Sequence, residues 1–345
     1  NELPDVEVSV SSDVCPEIRE YERFTTTVVN AYIKPLMSNY LKKLDQKLLN
    51  SGFNCSMLLM TSGGTLTNIS SACNNPVRLV ESGPAGGAIL ATSIAKDMDL
   101  SKVISFDMGG TTAKITIIED QKANKAREFE VDRKARFKKG SGFPLRIPVI
   151  EMVEIGAGGG SIARVNKLDQ IITGPDSAGS FPGPACYSNG GELPTITDAD
   201  LVIGKINPDN FAGGKIKLSK RLANEAITKN IGKLVNIDTD IAALAISEIV
   251  DETMSNAARV HTVEQGHETS NRTLIAFGGA APLHIARVAE KLRVSSVIIP
   301  TNASVGSAVG FLKAPVGYEV VKSLRMLLNS FEAEKVNNLL ENMKD

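Results

Sequence analysis

The chain has 345 residues, 38 basic and 39 acidic side chains and a formal net charge of −1. That length accommodates two ordinary domains with well-buried cores, and the charge balance argues against a nucleic-acid or membrane-surface protein, which would present a basic face. No apolar run approaches the ~18 residues that cross a bilayer, and the opening NELPDVEVSVSSDV has neither the basic nor the apolar region of a signal peptide.

In chain order, residues 5–11 alternate apolar and polar and predict a strand. Over 26–49 apolar side chains recur at helical spacing, with Pro35 marking a kink or the true start and Gly52 the stop. CSMLLMTSGG reads as a short buried strand ending in glycines. Ser82-Gly83-Pro84 opens a small-residue helix running to about residue 96, read as a connector between two lobes. A hairpin over 102–118 follows, then a strand over about 126–137, within which the basic run 133–139 begins; that run reads as a solvated edge. RIPVIEMVEIGAGGGSIARV gives strand, glycine turn and strand, and the glycine- and proline-rich 174–194 gives a long irregular loop, of the kind that is usually functional.

Beyond residue 197 the pattern turns helical. TDADLVIGKI places Thr197 or Asp198 as N-cap, and two amphipathic helices follow over about 219–234 and 240–266. RTLIAFGGAAPLHIARVAEKL reads as strand, glycine turn and helix, VSSVIIPTN as a strand, and SVGSAVGFLKAP as a second small-residue helix. Residues 317–345 read as a strand and a polar helix. The alternation of strands and helices predicts an α/β architecture.

Three glycine turns carry candidate chemistry: Asp107 to Thr112 (DMGGTT), Gly156 to Ser161 (GAGGGS) and Phe277 to Pro282 (FGGAAP). Glycine permits positive φ and close backbone approach, so successive N–H groups can converge on phosphate oxygens; threonine hydroxyls add donors, and an aspartate at a strand end can hold Mg²⁺ or orient water. Each turn alone is also compatible with an ordinary chain reversal. None is a Walker A loop, and GAGGGS is followed by a strand-like run rather than the helix of a dinucleotide fold.

Cys15, Cys55, Cys73 and Cys186 are scattered without a CxxC pair and read as reduced thiols of a cytoplasmic protein. Cys186 has no base beside it in sequence, which argues against a nucleophile. Among the three histidines, His284 faces either a cleft, for metal or substrate, or a hydrogen-bonded packing site; His267 reads as a helix C-terminal residue, and His261 completes the set. Asp198 and Asp200 are capping or metal-coordinating candidates. The charged EIREYER, residues 17–23, is a salt-bridged element near a cleft or a solvated turn.

The order of these features resembles the second half of the actin and hexokinase superfamily of ATPases: an Asp-x-Gly-Gly-Thr hairpin, then much later a strand ending in Gly-Gly and feeding a helix. FDMGGTTAKITII, VESGPAGGAIL, VEIGAGGGSIARV, AGSFPGPACYSNGGELPTITDADLVIGKI and LIAFGGAAPLHIARVAEKL together resemble the hydantoinase A / 5-oxoprolinase family, which includes N-methylhydantoinase and ketone carboxylase subunits, over about residues 8–320. GSGFPLRIPVIEMVEIGAGGGSIARV is similar to hydantoin-utilisation protein A. The resemblance implies an actin-like, ribonuclease H-like fold: 1–98 a partial first lobe with its connecting helix, 99–320 the second lobe with a helical insertion, and 321–345 a tail. It implies ATP and Mg²⁺ as cofactors, Asp107 at the metal or the water, Gly109, Gly110, Thr111 and Thr112 on phosphate, and Gly278 and Gly279 on the adenosine side. Gly158, Gly159, Gly160 and Ser161 are weaker candidates at the nucleotide, and His284, Asp198 and Asp200 lie toward substrate or cleft.

The implied activity is ATP-dependent hydrolysis of a cyclic amide, a hydantoin or 5-oxoproline, with a hydantoinase B-type subunit as partner in an oligomer. A ketone carboxylase and a non-catalytic assembly subunit are the alternatives. Relatives begin with a further first-lobe Gly-Gly-Thr hairpin that this chain does not contain. A half-built clasp, with weak or no ATP binding by this chain alone, is therefore expected. Lys114 stands where many relatives have aspartate and reads as a solvent-pointing strand lysine, with a phosphate contact as the alternative.

Overall fold

The computed structural model describes residues 6–132 and 140–344; the basic run 133–139 lies outside them. The chain forms two compact units. One comprises Asn1–Ala85, Lys125–Ile150 and Ala314–Asp345, the other Gly86–Asn124 and Glu151–Lys313.

In the first unit the longest element is α1 (Glu20–Asn50), which starts earlier than its apolar period predicts and runs through Pro35. The proline removes one intrahelical donor without ending the helix. Gly52, at φ +90°, ends it as expected. Thr26 of α1 donates to the Glu22 carbonyl and accepts from the Arg146 amide at 2.8 Å, and the Ser38 hydroxyl donates to the Cys73 carbonyl at 3.0 Å. Short antiparallel pairs complete the unit: Leu58–Met60 with Leu66–Asn68, Lys125–Ala126 with Val149–Ile150, and Phe129–Val131 with Phe143–Leu145. Val14, Val77, Leu145, Ile147 and Val149 form its core. Two strand expectations fail here. Residues 6–10 join no strand and run into a single helical turn, Ser11–Val14, and the segment from 317 reaches the expected helix (Ala333–Glu341) without a strand. An alternating pattern specifies a strand only where a partner ladder satisfies its backbone.

The second unit begins in α2 (Ser82–Asp97), the small-residue helix, and is built on a mixed sheet. Its strands are β1 (Lys102–Met108), β2 (Ala113–Glu119), β3 (Val153–Ile155), then, after the separate antiparallel pair β4 (Ser161–Val165) and β5 (Ile171–Ser177), β6 (Thr273–Phe277) and β7 (Ser296–Ile298). The spatial order is β3-β2-β1-β6-β7, with Lys122–Ala123 paired to β2. β2 runs antiparallel to β1 and β3, whereas β1, β6 and β7 are parallel. β5 takes up the first residues of the expected 174–194 loop.

Both faces of the sheet are covered, so β1 and β6 are buried almost throughout. The two-residue period sorts them: Ile104, Phe106, Met108, Leu274 and Ala276 join the main core. α3 (Ile196–Val202), α4 (Lys220–Ile227), α5 (Thr239–Glu264) and α6 (Ala281–Leu292) supply the rest of that core. Val103, Ile275 and Phe277 face the other way, against Leu90, Ala91 and Ala95 of α2. The same period places Asp107 on the α2 face, and α7 (Gly306–Lys313) lies on that face as well.

Truncating the fully buried Ile104 to alanine should lower unfolding free energy by about 2–5 kcal/mol through the lost methylenes and the cavity left behind. Leu312→Ala, at a side chain 88% exposed, should change it by less than about 0.5 kcal/mol. Urea unfolding of both variants checks the placement.

Candidate functional site

DMGGTT joins β1 to β2. The Gly109 amide closes the turn onto the Thr112 carbonyl at 3.1 Å, and Gly110 and Thr111 are exposed at its tip. Among the described residues no acceptor takes the N–H groups of Gly110, Thr111 or Thr112. A Cβ built on Gly109 or Gly110 would meet nothing within 4 Å, so the space over the turn is open. A run of unspent amides around open space is what an anion cradle requires.

GAGGGS has a different task from the one its sequence suggests. The amides of Gly158 to Ser161 are committed within the protein. Gly159 donates to the Gly109 carbonyl at 3.0 Å and Gly160 to the Gly110 carbonyl at 2.6 Å; Gly158 donates to the Ser161 hydroxyl at 2.9 Å, and Ser161 to the Gly158 carbonyl at 2.9 Å. Backbone lies directly on backbone here: a Cβ on Gly158 would stand 2.5 Å from the Thr111 nitrogen. Gly158, Gly159, Gly160 and Ser161 therefore brace the DMGGTT turn and have no amide left for phosphate. Thr197 in turn holds this brace, its amide and hydroxyl both donating to the Gly159 carbonyl at 2.8 Å.

The third turn adjoins the first. Phe277 is the register partner of Asp107, and the Ala280 amide donates to the Met108 carbonyl at 2.9 Å. Gly278, at φ +93°, has its Cβ position 2.6 Å from Oδ1 of Asp107, so any side chain there would collide with the carboxylate. Gly279 is exposed beside open space. The structure thus brings together Asp107, Gly109 to Thr112, Gly278 and Gly279.

Asp107 is half-buried, and Ser307 of α7 donates to its Oδ2 at 3.1 Å. Burial pushes the carboxyl above its ordinary range; the Ser307 hydrogen bond and the positive Lys114 act against that rise. Lys114, expected to point to solvent, instead donates to the Thr112 hydroxyl at 2.7 Å and pairs with Glu154 at 2.9 Å. It is drawn in because β3 brings Glu154 to the position directly opposite it.

The remaining candidates are not open to this space. Asp198 is fully buried and accepts four hydrogen bonds: from the amides of Ala185, Cys186 and Thr195, and from the Thr195 hydroxyl. Thr195 is the N-cap of α3 and Asp198 its third residue, in a reciprocal capping box, which corrects the Thr197-or-Asp198 assignment. Burial and then the neighbouring Asp198 push the Cys186 thiol far up, consistent with an inert cysteine.

His284 is fully buried between two acids: Nδ1 lies 2.7 Å from Oδ1 of Asp251, and Nε2 lies 3.0 Å from Oδ2 of Asp200 without hydrogen-bond alignment. Lys205 and Ser247 complete the cluster around Asp200. A neutral ring would turn a lone pair toward one carboxylate. Burial alone would lower the pKa, but the contacts to Asp200 and Asp251 outweigh it and raise it to about 9. The cluster ties α3, α5 and α6 together, which matches the packing alternative for His284; Asp200, read as a capping or metal-coordinating residue, is its partner there. His261 is buried on α5. His267 follows the end of α5 and sits with Arg272, Lys102 and Glu119 around a cavity of about 240 Å³, at the end of β1 remote from Asp107. In the first unit, Glu20 and Glu22 of EIREYER lie in the first turn of α1 and Arg23 donates to the Ser11 hydroxyl.

Sequence reasoning missed Ser307, Asp251 and Thr195. Asp251 could have been found: it interrupts the buried stripe Ser247, Val250, Met254, Ala258 of α5, and a buried acid needs a cation.

Among the described residues no group of three or more His, Cys, Asp or Glu side chains could hold a metal ion, and no helix is long and apolar enough to cross a membrane. A Mg²⁺ ion bound with a nucleotide needs only one or two carboxylates, because phosphates and water fill its other positions. The hard oxygens of Asp107 beside the open amide cradle fit that requirement.

Residues 23–320 match the family model for hydantoinase/oxoprolinase. The chain belongs to the hydantoinase/oxoprolinase family. It is 41% identical over 342 residues to an uncharacterized protein of Methanocaldococcus jannaschii, covering 98% of this chain and 50% of that protein. It is 33% identical to the caprolactamase alpha subunit of Pseudomonas jessenii, covering 99% of this chain and 48% of the relative. The crystal structure of that organism's ATP-dependent caprolactamase superposes with a TM-score of 0.81 over 99% of this chain and 49% of its own. The nucleotide-free structure of an acetone carboxylase, studied for ATP-dependent carboxylation, gives 0.77 at 27% identity over 87% and 41%. The chain spans about half the length of the curated relatives it matches.

The His284 geometry has a stability consequence. Its folded-state pKa lies above the ordinary value of about 6.5, so its charged contacts stabilise fully below about pH 6.5 and are lost as pH rises through about 9. His284→Asn should cost about 3–5 kcal/mol near pH 6 by leaving the buried Asp251 without its cation and Asp200 with Lys205 alone. The gap from wild type in urea unfolding should narrow by pH 9.5; a pH-independent gap would contradict the assignment.

Proposed function

We propose that the chain carries the larger part of an actin-like ATPase with a ribonuclease H-like lobe in its second unit, and that the intact protein uses Mg·ATP to hydrolyse a cyclic amide of the hydantoin or 5-oxoproline type. The observation that carries this reading is the open clasp: three consecutive unspent amides, Gly110 to Thr112, beside the Asp107 carboxylate. The strand order β3-β2-β1-β6-β7, in which only β2 is reversed, supports the fold assignment. The likeness to a relative named an ATP-dependent caprolactamase supports amide chemistry.

The residues divide the work in a way the chemistry requires. A ring amide resists water because its nitrogen donates into the carbonyl and leaves poorly. Moving the γ-phosphoryl of ATP onto the amide oxygen would remove that resonance, so that water adds to the carbon, the C–N bond breaks as the ring opens to an amine, and a second water splits the resulting acyl phosphate into carboxylate and phosphate. Catalysis then rests on holding the transferred phosphoryl in line and stabilising its charge. Gly110, Thr111 and Thr112 would donate to the phosphate oxygens, with the Thr112 hydroxyl oriented by Lys114. Asp107 would hold Mg²⁺ directly or through water; when bound, the ion would neutralise phosphate charge. Gly278 and Gly279 would give the nucleotide a wall without side chains. A hydantoinase B-type subunit is the expected partner, in line with relatives named as subunits.

An ATP-dependent ketone carboxylase is the second reading, favoured by the likeness to acetone carboxylase. The full-length protein with its co-purifying subunits, given Mg·ATP and hydantoin, 5-oxoproline or caprolactam, should release phosphate together with ring-opened product and without bicarbonate. Asp107→Asn should reduce that turnover by about 100-fold or more while leaving the thermal melt intact. Phosphate release that needs bicarbonate and a ketone would select the carboxylase, and undiminished turnover in Asp107→Asn would point to an assembly subunit.

A further inference from the structure

We infer that Ser307 is the positioning residue of Asp107, and that the small-residue helix α7 exists to deliver its hydroxyl. This inference rests on the ATPase reading and concerns a residue outside all three glycine turns.

Three observations support it. First, the Ser307 hydroxyl donates to Oδ2 of Asp107 at 3.1 Å across 200 residues of chain, the only hydrogen bond to that carboxylate among the described residues. Second, the other oxygen is confined as well: Gly278 presents bare backbone to Oδ1, so the carboxylate is held between a donor on one side and a wall on the other. Third, the surroundings of Ser307 fix the helix that bears it. A Cβ on Gly306 would stand 2.9 Å from Cβ of Phe277, and a Cβ on Gly310 would collide with the Gly86 carbonyl. From the facing helix, a Cβ on Gly86 would stand 2.5 Å from the Ser307 carbonyl, and one on Gly87 would stand 2.5 Å from the Phe277 ring. Only glycine at these positions lets α7 approach α2 and the end of β6 closely enough for Ser307 to reach Asp107.

The physical consequence is orientational. A carboxylate has a broad, two-fold terminal torsion. One donor on Oδ2, with the Gly278 backbone against Oδ1, narrows the carboxylate to one orientation. A partner that orients an active carboxylate is typically worth about 10–100-fold in activity. Ser307 does this without touching the nucleotide, so its loss should be felt in turnover rather than in nucleotide capture.

The test is phosphate release from Mg·ATP by the full-length protein, with and without added cyclic amide, compared across variants. Ser307→Ala should lower kcat by about tenfold or more with KM for ATP changed less than about twofold. Ser307→Cys, which keeps side-chain volume but is a weak donor, should show the same loss, and Ser307→Thr, which keeps the hydroxyl, should recover most of it. In an Asp107→Asn background Ser307→Ala should cause no further loss, because the two residues act as one unit. A kcat within about twofold of wild type for both Ser307→Ala and Ser307→Cys would overturn the inference and leave the ATPase reading standing. So would a rise in KM at unchanged kcat, or an additive loss on Asp107→Asn. No phosphate release by the wild-type protein under any condition would overturn the ATPase reading, and this inference with it.

Discussion

The candidate site depends on one contact: the backbone of Gly158 to Gly160 seated on the backbone of Gly109 and Gly110. Two amide-to-carbonyl hydrogen bonds, 3.0 and 2.6 Å, pin the carbonyls of the DMGGTT turn on one side. A two-stranded turn held only by its own closing hydrogen bond would be free to reorient its peptide planes. With both glycine carbonyls fixed, the amides that follow them are fixed too, because the peptide unit is planar. Preorganised donors of this kind stabilise charge without having to rearrange when it develops. A Cβ would meet the Thr111 nitrogen at Gly158, the Thr197 hydroxyl at Gly159 and the Gly110 carbonyl at Gly160, which explains three consecutive glycines without a direct role at phosphate.

The bracing is transmitted to the helical layer. Thr197, in the first turn of α3, grips the Gly159 carbonyl, while Asp200 on the next turn of the same helix joins the buried cluster with His284 and Asp251. His284 stands on α6, the helix that begins directly after Gly278 and Gly279. One charged cluster therefore links the helix behind the brace with the helix that leaves the Gly278-Gly279 turn. Buried ion clusters contribute little net stability but penalise alternative arrangements heavily, since any arrangement that separates them strands a charge in the core. In this fold they specify geometry near the site. On the opposite face of the sheet the same task falls to glycines: Gly86, Gly87, Gly306 and Gly310 let α2 and α7 approach each other and the Phe277 ring.

Much of this was legible in the sequence, for identifiable reasons. The β1–β2 hairpin, the β6–turn–α6 unit and both small-residue helices announce themselves through continuous apolar runs, glycine pairs and composition, all local signals. The family membership follows from motifs spread along nearly the whole chain. What failed was non-local. Residues 5–11 have strand alternation but no ladder to join. Lys114 reads as solvent-facing until β3 sets Glu154 opposite it. Gly158 to Ser161 read as phosphate donors until the fold commits their amides elsewhere. Ser307 stood in a run whose small residues were visible but whose target, 200 positions earlier, was not. Hydrogen-bond partners far apart in sequence leave no periodicity, so only the folded chain names them.

The most direct measurement is a crystal structure of the full-length protein with Mg·ADP and a fluoride mimic of the transferred phosphoryl. The account predicts the mimic within hydrogen-bond distance of the Gly110, Thr111 and Thr112 amides, with the Mg²⁺ ion on the Asp107 side and no donor from Gly158 to Ser161. A nucleotide bound elsewhere with this clasp empty, or phosphates held by the Gly158–Ser161 amides after the brace has opened, would contradict it.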